Sequence, residues 1–166
     1  MKMELNLSGV DGVLDTLRSL PAEVVSKRGG PVKSALRKGA QVIQRAAKAN
    51  LQAAITGTGD DGRRLSSGLL IKNLVVTRGK SPMGGKGERY LVRVRRKAYP
   101  DRSGKPVTTL LAAQIMEYGS VKQAPQPWLR PAASAKAQEA VNVATAELTK
   151  AIDRVVKKLA AQNKGR

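Results

Sequence analysis

The sequence predicts an α+β fold: a small antiparallel sheet packed against two long helices and short helices, with long flexible loops. Two long segments repeat apolar residues every three or four positions, the period of an amphipathic helix. Short segments alternate apolar and polar residues, the period of a half-buried strand. Glycine- and proline-rich stretches separate them. The 166 residues suit one domain spanning residues 1–166.

In chain order, Met3, Leu5 and Leu7 alternate with Glu4, Asn6 and Ser8, predicting a strand that Gly9 ends. Val10, Val13, Leu14 and Leu17 predict a short helix closed by Pro21, because proline disfavours helix at the residue before it. After Gly29, Gly30 and Pro31, the stripe Val32, Leu36, Ala40, Ile43, Ala47, Leu51 and Ile55 predicts the first long helix. Gly39 lies beside that stripe. It lowers helix propensity, so close backbone packing is the expected reason for it.

Residues 57–68 read as a loop, and residues 69–77 as a strand that can open with a helical turn. Residues 79–88 read as a glycine-rich connection. Tyr90, Val92 and Val94 form a second strand, so that the pair makes a hairpin with a long tip. Residues 98–107 are again loop. Residues 110–118 form a short helix stopped by Gly119, expected in the left-handed conformation of a helix end. An extended, proline-punctuated segment follows. Pro131, in a tolerated first-turn position, opens the last long helix, with the stripe Ala133, Ala137, Val141, Ala144, Leu148, Ile152, Val155 and Leu159. Residues 162–166 are expected to fray.

Composition narrows the chemistry. There is no Cys and no His, which excludes disulfides, Cys/His metal sites, Cys nucleophiles and His general bases. The hydrophobic fraction is 41%, but aromatics are only 2% and Phe is absent. The core must be built from Leu, Ile, Val and Ala, and Ala packs helices closely but buries little area, so partner subunits are expected to contribute burial. The formal charge of +19 favours polyanions or acidic partner surfaces. No stretch reaches the ~20 apolar residues of a membrane span. The N-terminus lacks a basic-then-apolar leader pattern, so folding in a cytoplasm is expected.

No motif carries catalysis. Asp60 and Asp61 are adjacent, without a fixed third carboxylate, and read as a solvated loop. Gly57-Thr58-Gly59 and the glycines at 84–87 lack phosphate-loop spacing and setting. Ser66 and Ser67 have no Lys at an identifiable catalytic spacing. The expectation is no catalytic, metal or cofactor site, and no enzyme.

Arg93, Arg95, Arg96 and Lys97 end the second strand of the hairpin, with Arg63, Arg64, Arg78, Lys80 and Lys86 on adjoining loops. Two readings stay open: contact with DNA phosphates or an acidic partner, or an edge strand protected by charge. Tyr90, Tyr99, Tyr118 and Trp128 are too scattered for a base-stacking platform, which argues against single-strand recognition.

The most informative stretch is Glu117-Tyr118-Gly119 followed by Pro127-Trp128-Leu129-Arg130-Pro131-Ala132. It reads as a helix stop, a rigid extended segment, one large aromatic and a helix start. Trp128, the only Trp, is either the core anchor of the last helix or a contact at a subunit interface. Core anchor is the favoured reading.

This stretch resembles the siphophage tail-completion proteins, the neck or head–tail joining family that includes the lambda-Z-like minor tail proteins. Their sequences show a Glu-aromatic-Gly turn, a polar linker, then Pro-aromatic-Leu-x-Pro-Ala and a long Ala-rich helix. Leu7-Ser8-Gly9 with Leu14 and Leu17, and Gly68-Leu69-Leu70 before the strands, are similar as well. The chain departs from the family in Trp128, where Phe is commoner, in a long insertion at 57–67, and in its high charge.

The resemblance implies a structural virion protein that completes the head-proximal end of the tail or joins it to the capsid. It also implies a ring-forming homo-oligomer, with neck, tail-terminator or tail-tube proteins as neighbours. The alternative is a non-specific duplex-DNA-binding accessory protein of a phage or prophage. That accounts for the charge but not for the segment around Trp128. A nuclease, lacking a carboxylate cluster, comes third.

Overall fold

The computed structural model of the chain describes residues 30–56, 68–80, 88–99 and 107–163. The architecture is the expected α+β one. Two long helices, α1 (Gly30–Thr56) and α4 (Leu129–Asn163), pack along each other. Beside them lie the short helix α2 (Leu69–Asn73), a two-stranded antiparallel sheet of β1 (Leu74–Arg78) and β2 (Tyr90–Val94), and helix α3 (Thr109–Tyr118). The expected strand and helix near residues 3–17 lie outside the described residues.

In α1 the buried line runs through Ala35, Gly39, Val42, Ala47 and Leu51. The first half of the expected stripe is therefore rotated, with Val32, Leu36, Ala40 and Ile43 only half-buried. The reason is the close approach of α4. A Cβ added to Gly39 would lie 2.7 Å from the Ala140 carbonyl oxygen and 3.1 Å from the Ala144 Cβ. At such a crossing the smallest residues take the centre, and larger ones flank it. Ala133, Ala140 and Leu148 are buried on α4. Lys38 on α1 and Glu147 on α4 pair at 2.5 Å beside the crossing.

Gly68, at φ 70° and ψ 0°, opens α2. The Asn73 Nδ2 donates to the Leu69 carbonyl at 2.8 Å, and the chain passes directly from helix into strand. The segment expected as one strand with an opening turn thus divides at Leu74. β1 and β2 pair with Val76 opposite Val92. Leu74, Val92 and Val94 pack on the core, while Leu91 and Arg93 point outward.

Three expected loops or tails are shorter than their sequence bounds. The Gly79 amide donates to the Arg89 carbonyl at 2.8 Å, and Arg78 and Lys33 both pair with Glu88. Ala98 bridges Thr108, and the Tyr99 amide donates to the Val107 carbonyl at 2.8 Å. Antiparallel pairing therefore satisfies backbone groups that composition alone assigns to loop. The helix also continues to Asn163, past the expected fraying point at 162.

The core centres on Leu51, Leu70, Leu74 and Trp128, with Ala47, Ala113 and Ala132 between them. It draws on both long helices, α2, α3 and β1, so Trp128 stands where these elements meet.

Candidate functional site

Helix α4 begins with a difficulty. The first four amides of an α-helix have no partner inside the helix. A local cap would be Ser, Thr, Asp or Asn just before the start. Here the preceding residues are Gln126, Pro127 and Trp128. The cap comes instead from the end of α3.

Glu117 is buried, with 4% of its surface exposed. Its Oε2 accepts the amides of Trp128 and Leu129, each at 2.9 Å. Its Oε1 accepts the Arg130 amide at 3.1 Å and the Arg130 Nε at 2.9 Å. The Arg130 guanidinium also donates to the Glu117 carbonyl at 3.1 Å and lies 4.9 Å from the centre of the Tyr118 ring. A negative carboxylate at a helix N-terminus also opposes the helix dipole favourably. Burial alone would push the Glu117 carboxyl up. The amides of Leu129 and Trp128, with the side chain and amide of Arg130, outweigh it and hold the carboxyl below its usual range.

The turn between these ends is closed by backbone bonds. The Gly119 amide donates to Ile115, the Gln126 amide donates to Met116, and Ser120 exchanges bonds with Gln123. Gly119 sits at φ 80° and ψ −178°. The expected left-handed helix cap is therefore corrected: this is a region essentially reserved for glycine. A Cβ there would also lie 2.9 Å from both the Gln123 carbonyl oxygen and the Pro125 nitrogen. Space and backbone angle both demand glycine at this position.

Trp128 is a core residue, 1% exposed, with its carbonyl accepting from Asn50 of α1 at 3.2 Å. The interface alternative for its indole is thus closed. Its Nε1 is buried without a hydrogen-bond partner, as is the Gln126 Oε1. Leu129 is half-buried against the core, while Pro127 and Pro131 are exposed. Glu117, Tyr118, Gly119, Leu129, Arg130 and Trp128 thus form one clasp joining α3, α4 and α1.

The basic candidates divide. Arg93, Arg95, Arg96 and Lys97 are brought together, all exposed, at the end of β2. None forms an ion pair among the described residues. Arg78 is committed to Glu88 through two bonds of 2.7 and 2.6 Å. Arg63 and Arg64 lie outside the described residues, as do Asp60 and Asp61. Among the described residues no group of three or more metal-ligating side chains occurs, and no helix is long and apolar enough to cross a membrane.

Sequence reasoning missed the role of Glu117. The available signal was the absence of a local cap before α4, which requires a distant acceptor. It also missed that α3 leaves Leu110, Leu111 and Tyr118 exposed.

No protein-family model matches this chain, and no curated protein or solved structure matches it.

Proposed function

We propose that this chain is a structural protein of a tailed-phage virion, completing the head-proximal end of the tail or joining the tail to the capsid. One observation carries the reading. The residues of the resemblance, separated in sequence, form a single hydrogen-bonded unit around the Glu117 carboxylate. Glu117 needs free amides eleven to thirteen residues on. The Pro-Trp-Leu-Arg segment supplies them. A likeness built from interdependent residues is harder to reach by chance than one built from separate positions.

On this reading the mechanism is assembly and not catalysis. The protein is not an enzyme and takes no cofactor. It is made in the bacterial host cytoplasm and retained in the virion at the neck or tail. It forms a ring with copies of itself, because heterologous contacts that close give cyclic symmetry. Its neighbours are neck, tail-terminator or tail-tube proteins.

The test is particle composition. Purified particles of a phage carrying this gene should retain the protein, and deletion should leave filled heads and tails unjoined. Particles that lack the protein and assemble without it would refute the reading.

The second reading is non-specific duplex-DNA binding. It is favoured by the exposed cluster Arg93, Arg95, Arg96 and Lys97, which forms no ion pair among the described residues, on a chain of charge +19. Counterion release would make such binding fall steeply with salt. Binding confined to one sequence and persisting at high salt would contradict it.

A further inference from the structure

Helix α3 exposes large apolar side chains as well as burying a face. Its inner face buries Thr109, Ala113 and Glu117. Its outer face leaves Leu110, Leu111 and Tyr118 exposed at 41%, 45% and 49%, with Val107 at 44% just before the helix. At about 100° per residue Leu111 and Tyr118 lie on nearly the same side of the helix and Leu110 flanks them, with the exposed Gln114 standing between, so the apolar side chains share one face without forming an unbroken stripe. At 1.5 Å per residue the ten-residue helix makes this face ~15 Å long. Large exposed apolar side chains gathered on one face of a small protein mark an interaction surface.

The charge around the face selects the occupant. At its N-terminal end, Lys97 bonds the first residue of α3 in both directions, through Lys97 amide to Thr109 Oγ1 and Thr109 amide to Lys97 carbonyl. Arg95 and Arg96 adjoin it. At the C-terminal end stands Lys122, while Arg130, over Tyr118, has its charge paired with Glu117. Between residues 107 and 128 the single carboxylate is Glu117, which is buried and spent on the clasp. The face is therefore apolar at Val107, Leu110 and Leu111 and again at Tyr118, polar at Gln114 between them, and flanked by Lys97 at one end and Lys122 at the other. Two copies meeting through this face would oppose like charges, which costs affinity. A standard interface buries ~800 Å² per partner, more than these four side chains supply, so the basic rim must take part.

We infer that the outer face of α3, Val107, Leu110, Leu111 and Tyr118 flanked by Lys97 and Lys122, docks a different protein chain presenting apolar side chains with an acidic rim. The inference goes beyond the virion reading and does not rest on it. A partner from outside the particle would satisfy the one and remove the other.

The test places a photocrosslinking residue at Leu111, with Thr149 on α4 as an exposed control, in full-length protein made in cells carrying its native gene set. Adducts are identified by mass spectrometry. The expected adduct is one distinct chain, cross-linked at an apolar site flanked by Asp and Glu. Its yield should fall by ~10-fold or more with Leu110→Asp, the scale of one anchor side chain. It should also fall with Lys97→Glu or Lys122→Glu and with added salt. Unchanged thermal unfolding of Leu110→Asp should separate docking from folding. Adducts to the chain itself, to lipid or to nucleic acid, a yield no higher than at Thr149, or a yield indifferent to the charge variants would each overturn the inference.

Discussion

The clasp around Glu117 and the hairpin end around Arg93 are both rich in charge, and they use it in opposite ways. In the clasp, one buried carboxylate meets three amides and a guanidinium, and the Arg130 cation also covers an aromatic ring. Along the hairpin, Glu88 is the only carboxylate among the described residues between 30 and 99, and it is already held by Arg78 and Lys33. Arg93, Arg95, Arg96 and Lys97 remain exposed beyond it. Charge in the first region fixes the relative position of helices. Charge in the second forms no ion pair among the described residues. Stability should therefore be concentrated at the clasp, and association at the hairpin.

The comparison breaks most visibly at Trp128. Trp128→Ala should cost ~3–5 kcal/mol, the usual cost of truncating a buried large aromatic. That is much of the stability of a marginal domain. Thermal or urea unfolding of the purified variant checks this. A variant that melts like the parent would remove Trp128 from the core that joins the long helices.

Glu117→Ala comes next. It leaves buried amides without an acceptor, at ~1–3 kcal/mol for each group so orphaned, less whatever water recovers. Glu117→Gln keeps one oxygen acceptor and should cost less. The carboxyl is held below its usual value of 4.5 in the fold. Its stabilisation is therefore present above the unfolded pKa and is lost as pH falls through the folded one. Acid unfolding should steepen below about pH 4.5, and Glu117→Gln should flatten that part of the curve. Glu88 and Glu147 are also lowered, by Arg78 and Lys38 respectively. They act in the same direction but are only half-buried, at 16% and 25% side-chain exposure, so high salt should suppress more of their share than of that of Glu117.

Gly39→Ala tests the helix crossing. Alanine gains ~1 kcal/mol of helix propensity over glycine. Here its Cβ would meet the Ala140 carbonyl oxygen at 2.7 Å. Overpacking of this kind costs ~1–3 kcal/mol, so the net change should be mildly destabilising. A stabilised Gly39→Ala variant, by urea midpoint, would mean that the helices have room to separate.

These sites differ in how far they could be read from the residues alone. The long helices, the hairpin and the proximity role of Gly39 follow from periodicity and from the cost of glycine in a helix. The rotation of the α1 stripe does not, because it depends on where α4 crosses. Glu117 was visible as part of a motif, but its task was not. A cap supplied from eleven residues away leaves no local pattern, only the absence of one before Leu129. Gly119 was legible as a helix stop, while its actual conformation is set by the return of Gln123 and Pro125 against it. The exposed face of α3 was hidden because an apolar run shows no side until its neighbours are placed.

The smallest effect on stability is expected at the hairpin, where the change should appear in binding. Arg93 and Arg95 are exposed and take no part in an ion pair among the described residues. Substitutions away from buried features usually stay within ~0.5 kcal/mol. Arg93→Glu with Arg95→Glu should therefore leave the melting curve nearly unchanged. If the cluster lies on DNA, each lost phosphate contact should reduce the slope of log affinity against log salt by ~0.9. The loss should be uniform across sequences, because phosphate contacts position a protein without reading bases. Fluorescence anisotropy with unrelated duplexes at several salt concentrations gives both quantities. A double variant that binds like the parent at every salt concentration would leave these arginines as guards of an open strand edge. One that melts early would show that charge at this end of the molecule also holds the fold, and the contrast between the two regions would fail.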